Sequence, residues 1–556
     1  MKKLLAALAS LVVIALVVAG VAAVWHGGSA ESTQAEPEKE DVSAVPDCSN
    51  FADSEDPSQG DPDAISSEPD AGSSQGDASA ASNPFVLAPT ETSGRDSGQA
   101  ATLSSTDDKF CEEQRALADS TLTHTRAEND ISRTGTAPAG PVSHLRTPGW
   151  AGEQRFGPQN DWEPDIAADP NSNYVYAVTT EFGNRACNQC PNPAFVYRVS
   201  SDNGQSWGPP LYVCKCKGDV PGGRWQYDPT IAVDSSGKVY VTILARWHTF
   251  VTTSTDHGQT WSDLVDVAPH FSWTDHGQIT ISPDGQDVYV AFNHADSYVA
   301  ASHDGGQTFA DPVKTNYGDS YYWYHYKGSV LSDGTVVVPA TSVSRHPYDV
   351  NLTRYYALIS SDGGATWQTV QVAPAVPVQP DCYTLGCRHD HWGGLARVAS
   401  DGNDDLAYVY VGPQVPADGQ VDFVVTSGDE GQTWSSPKPL SPSYARNGTR
   451  RVVAVFPAIT GTGASGFNTW WMDDRKGHGW FNVWTRSSAD GGSTWGNTQR
   501  ISDAVSGAPY KSNKGFMGDY GDYGGIATMN NGKVISIWGE AFGYAGPGNT
   551  WINYET

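Results

Sequence analysis

Basic residues are scarce. The chain carries 34 Lys and Arg against 63 Asp and Glu, a formal net charge of −29 over 556 residues. Nucleic acids and anionic membrane surfaces need basic patches, so this balance argues against both as partners. Part of the charge lies in a tail and says nothing about a folded face. Charged residues of either sign are only 17%, whereas Gly (58), Trp (19) and Tyr (25) are plentiful, which suits an all-β repeat fold. Residues 31–138 have few aromatics and no apolar periodicity and are rich in Ser, Asp, Glu, Ala, Pro and Gly. Such a segment cannot bury enough surface to offset its ordering entropy, and it reads as a disordered linker.

The N-terminus begins Met1-Lys2-Lys3 and runs uncharged from Leu4 to Trp25. That stretch of about 22 residues exceeds the usual signal-peptide core and is long enough to span a bilayer. Residues 1–30 therefore read as a cleaved signal peptide or an uncleaved signal anchor. Either places the rest outside the cytoplasm, and the membrane is touched only through this segment if it stays. The eight cysteines are Cys48, Cys111, Cys187, Cys190, Cys214, Cys216, Cys382 and Cys387. An even count in an exported chain favours disulfides over a four-thiolate zinc site.

One short phrase recurs six times, about 50 to 65 residues apart. It reads Ser360-Ser-Asp-Gly-Gly-Ala-Thr-Trp367 in its clearest copy, and its Asp falls at Asp202, Asp256, Asp304, Asp362, Asp429 and Asp490. Each copy follows a strand-like run such as Tyr355-Tyr-Ala-Leu-Ile359, so it reads as a hairpin turn. The Asp can accept from backbone N–H groups of its own turn, Gly supplies positive φ, and the closing aromatic can pack between sheets. This phrase resembles the Asp-box, or bacterial neuraminidase repeat, of the sialidase-like β-propellers. The resemblance covers residues 155 to 556 and implies four-stranded blades over 139–556. Six blades carry the phrase. A remnant without one, Gly524 to Tyr554, makes seven blades the favoured count and six the alternative. A strand from about Pro141 to Phe156 would then complete the last blade, because a propeller must close to remove its sheet edges.

In such a ring the phrase-bearing turns lie on one face and are structural. Connections between blades, and between second and third strands, meet on the other. Those connections carry Trp162-Glu-Pro-Asp165, Arg224-Trp-Gln-Tyr-Asp228, Tyr321-Tyr-Trp-Tyr-His-Tyr326, Arg388-His-Asp-His-Trp392 and Gly518-Asp-Tyr-Gly-Asp-Tyr523. Second strands end at Glu181, Arg246, Arg345, Arg475 and Glu540. Flat aromatics beside carboxylates suit sugar rings, and paired carboxylates suit glycosidic cleavage. The expected catalytic residues are Asp165, Asp228 and Glu540. The expected substrate contacts are Arg246, Arg345, Arg475, Trp162, Trp225, Tyr324, His391 and Tyr523. No metal site is assigned, since His389 and His391 lack a third ligand. No cofactor is assigned either, although Asp519 and Asp522 offer oxygens of the kind calcium takes.

Sialidases of the resembled family clamp a carboxylate with three Arg, pair a Tyr with a Glu as nucleophile and use an Asp as acid/base. They announce the first Arg with Arg-Ile-Pro in the first blade. Here Trp162-Glu-Pro-Asp165 stands in that place, with carboxylates where the guanidinium would be. The expectation is a monomeric, extracytoplasmic propeller acting on a glycan or glycoconjugate. It is either a sialidase-like glycoside hydrolase or a non-catalytic glycan- or protein-binding propeller.

Overall fold

The structure is a computed structural model. It describes residues 144–556 apart from 157–159, 183–190, 192, 214–225, 317–321, 344–351, 378–394, 413–419, 445–451, 478–479, 509–523 and 542–547. The N-terminal segment, the whole linker and all eight cysteines lie outside the described residues, as do Trp225, Arg345, His391 and Tyr523.

Seven antiparallel sheets form a β-propeller, each built outward from an inner strand. The first blade comprises Asn160–Ala168, Val175–Phe182 and Ala194–Ser200, with a single bridge from Tyr197 to Leu211 in place of a fourth strand. Blades two, three, five and six have four strands each, with inner strands Tyr227–Val233, Asp275–Ile281, Ala396–Ser400 and Ala454–Gly461. In blade four the inner strand is split into Tyr322–His325 and Ser329–Val330, both paired with Val336–Val343. The seventh blade is Gly525–Thr528, Val534–Ala541 and Gly548–Tyr554, completed by Gln154–Arg155 from the start of the propeller. The expected closing strand is thus present, and its ladder is two residues long. The segment before it is held by backbone bonds to both of the last two blades: Leu145 N–H donates to the Asp503 carbonyl and Ala151 N–H to the Tyr554 carbonyl.

Why a ring forms is visible in the second strands. Val239–Ala245 and Leu406–Gly412 are buried at every position, so both faces of each sheet must be covered. Seven hydrophobic clusters fill the seven seams between adjacent blades. The aromatic that closes each repeated phrase sits in the seam with the preceding blade: Trp207, Trp261, Phe309, Trp367, Trp434 and Trp495. Trp261, for instance, meets Tyr197 edge-on at 5.3 Å and donates to its hydroxyl. The seam between blades six and seven has no such aromatic and is filled instead by Trp150, Trp470 and Trp538.

The turn itself repeats one hydrogen-bond pattern. In blade four Ser360 Oγ donates to Asp362 Oδ1 and accepts from Gly364 N–H at 2.9 Å. Thr366 gives its N–H to Asp362 Oδ1 and its hydroxyl to Oδ2. These donors hold the Asp side chains below the usual carboxylate range, with Thr260 the largest influence on Asp256, at about 2. The Gly364 N–H is buried, whereas the Asp362 side chain stands in solvent. Ser360→Ala is therefore expected to destabilise by about 1–3 kcal/mol, because it orphans a buried donor. Asp362→Ala, whose lost donors can turn to water, is expected to cost less. Denaturant midpoints of the two variants check the order.

Candidate functional site

The inner strands converge on the ring axis, and at the end away from the repeated turns four of them bulge in the same way. Glu163, Asp228, His276 and Phe456 have φ of 54°, 48°, 53° and 52°. In all four blades the ladder skips at that point. Left-handed backbone is unfavourable for side chains other than Gly, and Glu163, Asp228 and Phe456 also precede proline, which disfavours helical dihedrals further. Three of the four residues held this way are ionisable, and they belong to three successive blades.

Glu163 and Asp228 are tied to one another. Glu163 Oε2 accepts from the Asp228 N–H at 2.9 Å and from Thr180 Oγ1 at 2.6 Å. Tyr227 lies beside both. Burial raises its hydroxyl pKa most, and the charges of Glu163 and then Asp228 raise it further. His276 packs edge-on between Tyr324 and Tyr326, at 5.6 and 5.4 Å. The mouth is thus two carboxylates and a phenol on blades one and two, flanked by an imidazole and a partly buried Tyr324.

The other expected residues are placed as follows. Asp165 Oδ1 pairs with Lys327 Nζ at 2.7 Å, and its Oδ2 accepts from the Ile231 N–H at 3.0 Å. Glu540 is buried at the end of its strand, where Trp538 Nε1 donates to its Oε2. Trp162 is 5% exposed, so its ring packs inside the ring of blades rather than standing open as a sugar platform. Arg246 occupies an exposed hairpin tip in which it and Trp247 both have positive φ. Arg475 is held by Asp473 through Nε and Nη2, and its guanidinium lies 3.9 Å over the Trp484 ring. Asp473 thus takes Nε and Nη2 of Arg475, and Arg345, the remaining member of the expected three-Arg clamp, lies outside the described residues.

Sequence reasoning passed over a second acidic pair. Asp161 and Glu181 face one another across the ladder in the seam between blades seven and one, both 2% exposed. Burial raises the Glu181 carboxyl to about 7, the Asp161 charge adds to this, and Arg198 opposes it. Arg155, from the closing strand, also feels the Asp161 charge. At the seam of blades five and six, burial and then the neighbouring Asp473 push the fully buried Asp422 far above the carboxylate range. Alternation along strands pointed to apolar seams, so Glu181 was read as a strand-end carboxylate of the mouth and the placing of Asp161, Glu181 and Asp422 in seams left no signal. The bulge did leave one: an apolar residue, a second residue and Pro recur at Trp162-Glu163-Pro164, Tyr227-Asp228-Pro229 and Val455-Phe456-Pro457.

No family model matches the chain, and no curated protein matches it. Among solved structures it is similar to a Hadza microbial sialidase, at 15% identity and a TM-score of 0.39, over 71% of this chain and 65% of the sialidase. It is similar to an ulvan lyase of a polysaccharide lyase family, at 12% identity and 0.43, over 73% of this chain and 95% of the lyase. It is also similar to YCF48 bound to a D1 peptide, at 12% identity and 0.41, over 76% and 99%. Values this low describe likeness of fold and carry nothing about chemistry.

The pH dependence of the first seam follows from its acids. Folded Glu181 keeps its proton up to about 7, whereas an unfolded glutamate releases it near 4.5. The folded state therefore binds more protons between these values, and Glu181's contribution is full below 4.5 and lost as pH rises through 7. His325 pulls the other way: burial lowers its imidazole to about 3. The informative quantity is thus the difference from a variant. The melting temperature of the parent minus that of Glu181→Gln is expected to grow as pH falls from 7.5 to 5.

Proposed function

We propose that this chain is an extracytoplasmic, glycan-acting propeller that cleaves glycosidic bonds at the mouth formed by Glu163, Tyr227 and Asp228. The observation that carries the reading is the repeated left-handed bulge. Two successive blades hold an acidic residue in an unfavourable backbone conformation at the same rim position, and the backbone N–H of Asp228 donates to the Glu163 carboxylate. Strain of about 1–3 kcal/mol per residue persists only where surrounding structure enforces it, and such positions cluster at functional sites. Paired carboxyl groups supply the acid and base, or acid and nucleophile, of glycoside hydrolysis. Tyr227 beside Glu163 has the residue types of the Tyr–Glu pair that the sialidase resemblance implies. Asp228 is the acid/base in this reading, and the partly buried Tyr324 borders the sugar.

A second reading, a propeller that binds glycan or protein without cleaving it, is favoured by the internal engagement of Asp165 and Arg475. Neither group offers charge to a ligand, which leaves fewer groups for chemistry than the sequence promised.

One experiment separates the two. Purified protein is incubated with a panel of aryl glycosides and sialosides, and released sugar is measured. For the hydrolase, Asp228→Asn is expected to lower kcat/KM by roughly 100-fold or more at unchanged melting temperature. Retention of a glycan on the protein without release from any substrate would instead establish the binding reading.

A further inference from the structure

Blade four interrupts its inner strand at Tyr326-Lys327-Gly328, between Tyr322–His325 and Ser329–Val330. At the break Lys327 leaves its own blade and reaches across the ring. Its ammonium lies 2.7 Å from Asp165 Oδ1, 3.2 Å from the Ile231 carbonyl oxygen and 3.3 Å from the Ile166 carbonyl oxygen. All three acceptors belong to the inner strands of blades one and two, on the far side of the axis. They are fixed independently of the lysine. Asp165 Oδ2 is held by the Ile231 N–H, the two carbonyls belong to paired strands, and blade seven presses in from the side. A Cβ at Gly525 would stand only 2.9 Å from Asp165 Oδ1 and 3.0 Å from the Ile166 nitrogen, so glycine is needed there.

We propose that Asp165 Oδ1 and the carbonyl oxygens of Ile166 and Ile231 form a monovalent-cation site on the propeller axis, with Lys327 as its built-in occupant. The donor set decides the class of ion. One negative charge and two neutral oxygens match the three N–H donors of a primary ammonium. Calcium, with two charges, usually takes several carboxylates and would find one here. Ammonium, methylammonium and potassium have the right charge. Removing Lys327 leaves a carboxylate on the inner ring without its cation, a costly state that a free cation relieves. The tethered ion also joins blade four to blades one and two across the axis. Asp165 then serves the architecture of the ring.

The test uses the full chain. Thermal unfolding of Lys327→Ala is followed at constant ionic strength in choline chloride, then with choline replaced by ammonium, methylammonium or potassium. The midpoint is expected to fall by several degrees in choline and to recover saturably with the small cations, while the parent responds equally to all salts. A variant as stable as the parent, or one depressed alike in every salt, overturns the site. Should the variant not fold, the intact parent supplies the answer through timed acetylation read by mass spectrometry. Lys327 is expected to react at least roughly tenfold more slowly than Lys314, whose ammonium pairs with Asp296 at the surface. Equal rates would refute the proposal.

Discussion

A β-sheet that is apolar on both faces has to be sandwiched, and a row of such sheets has two unpaired ends unless it curves into a ring. That constraint governs this molecule. Second strands such as Val239–Ala245 and Leu406–Gly412 are buried throughout, each seam is filled from both sides, and the last sheet borrows Gln154–Arg155 from the beginning of the propeller. The borrowed ladder is short because it does not act alone. Residues before it bond to blades six and seven, and Phe156 and Trp150 enter the seams on either side. Closure is thus distributed over a segment rather than concentrated in two residues.

Closure also creates the mouth. Seven inner strands approaching one axis crowd their ends, and there the chain departs from regular pairing: four blades bulge and one breaks. A bulge re-aims a side chain, and here it re-aims Glu163, Asp228 and His276. The break in blade four frees a lysine. Polar groups gather at this end because regular strands would have turned them into the apolar seams, where an unpaired charge is costly. The exceptions prove the cost: Glu181 and Asp422 stay in seams, and burial drives both carboxyls toward the neutral form.

Repetition made the fold legible. Six copies of one turn phrase locate the third and fourth strands of six blades, and the boxless remnant after them called for a seventh blade with a borrowed strand. The aromatic of the phrase foretold the seams, since a large ring at the end of a tight turn has nowhere else to pack. The site was legible only in outline. Trp162-Glu163-Pro164-Asp165 and the phrase ending at Asp228 were visibly rim segments, but which residue of each turns inward depends on a one-residue slip in the ladder. That slip exchanges Asp165 for Glu163 as the group beside Asp228 and hands Asp165 to Lys327. The pairing of Arg475 was hidden for a related reason: its partner Asp473 is two residues back on the same strand, so both fall on one face.

The two ends of each strand therefore carry opposite electrostatics. At the repeated turns each carboxylate is surrounded by donors from its own loop, so its charge is favoured, local and independent of other blades. At the mouth two carboxylates are held by groups from another blade: Glu163 by blade two, Asp165 by blades two and four. The turn carboxylates are thus insensitive to how the blades sit around the axis, although the turns touch the preceding blade through contacts such as Trp261 with Tyr197, whereas the mouth carboxylates Glu163 and Asp165 depend on the spacing of blades. A fold arranged this way can alter its rim residues without losing its repeat, because the interactions that define the blade and those that define the site share strands but not side chains. The formal charge of −29 overstates the field that a ligand would meet, since the turn acids face away from the mouth and Asp165 is already matched by an ammonium.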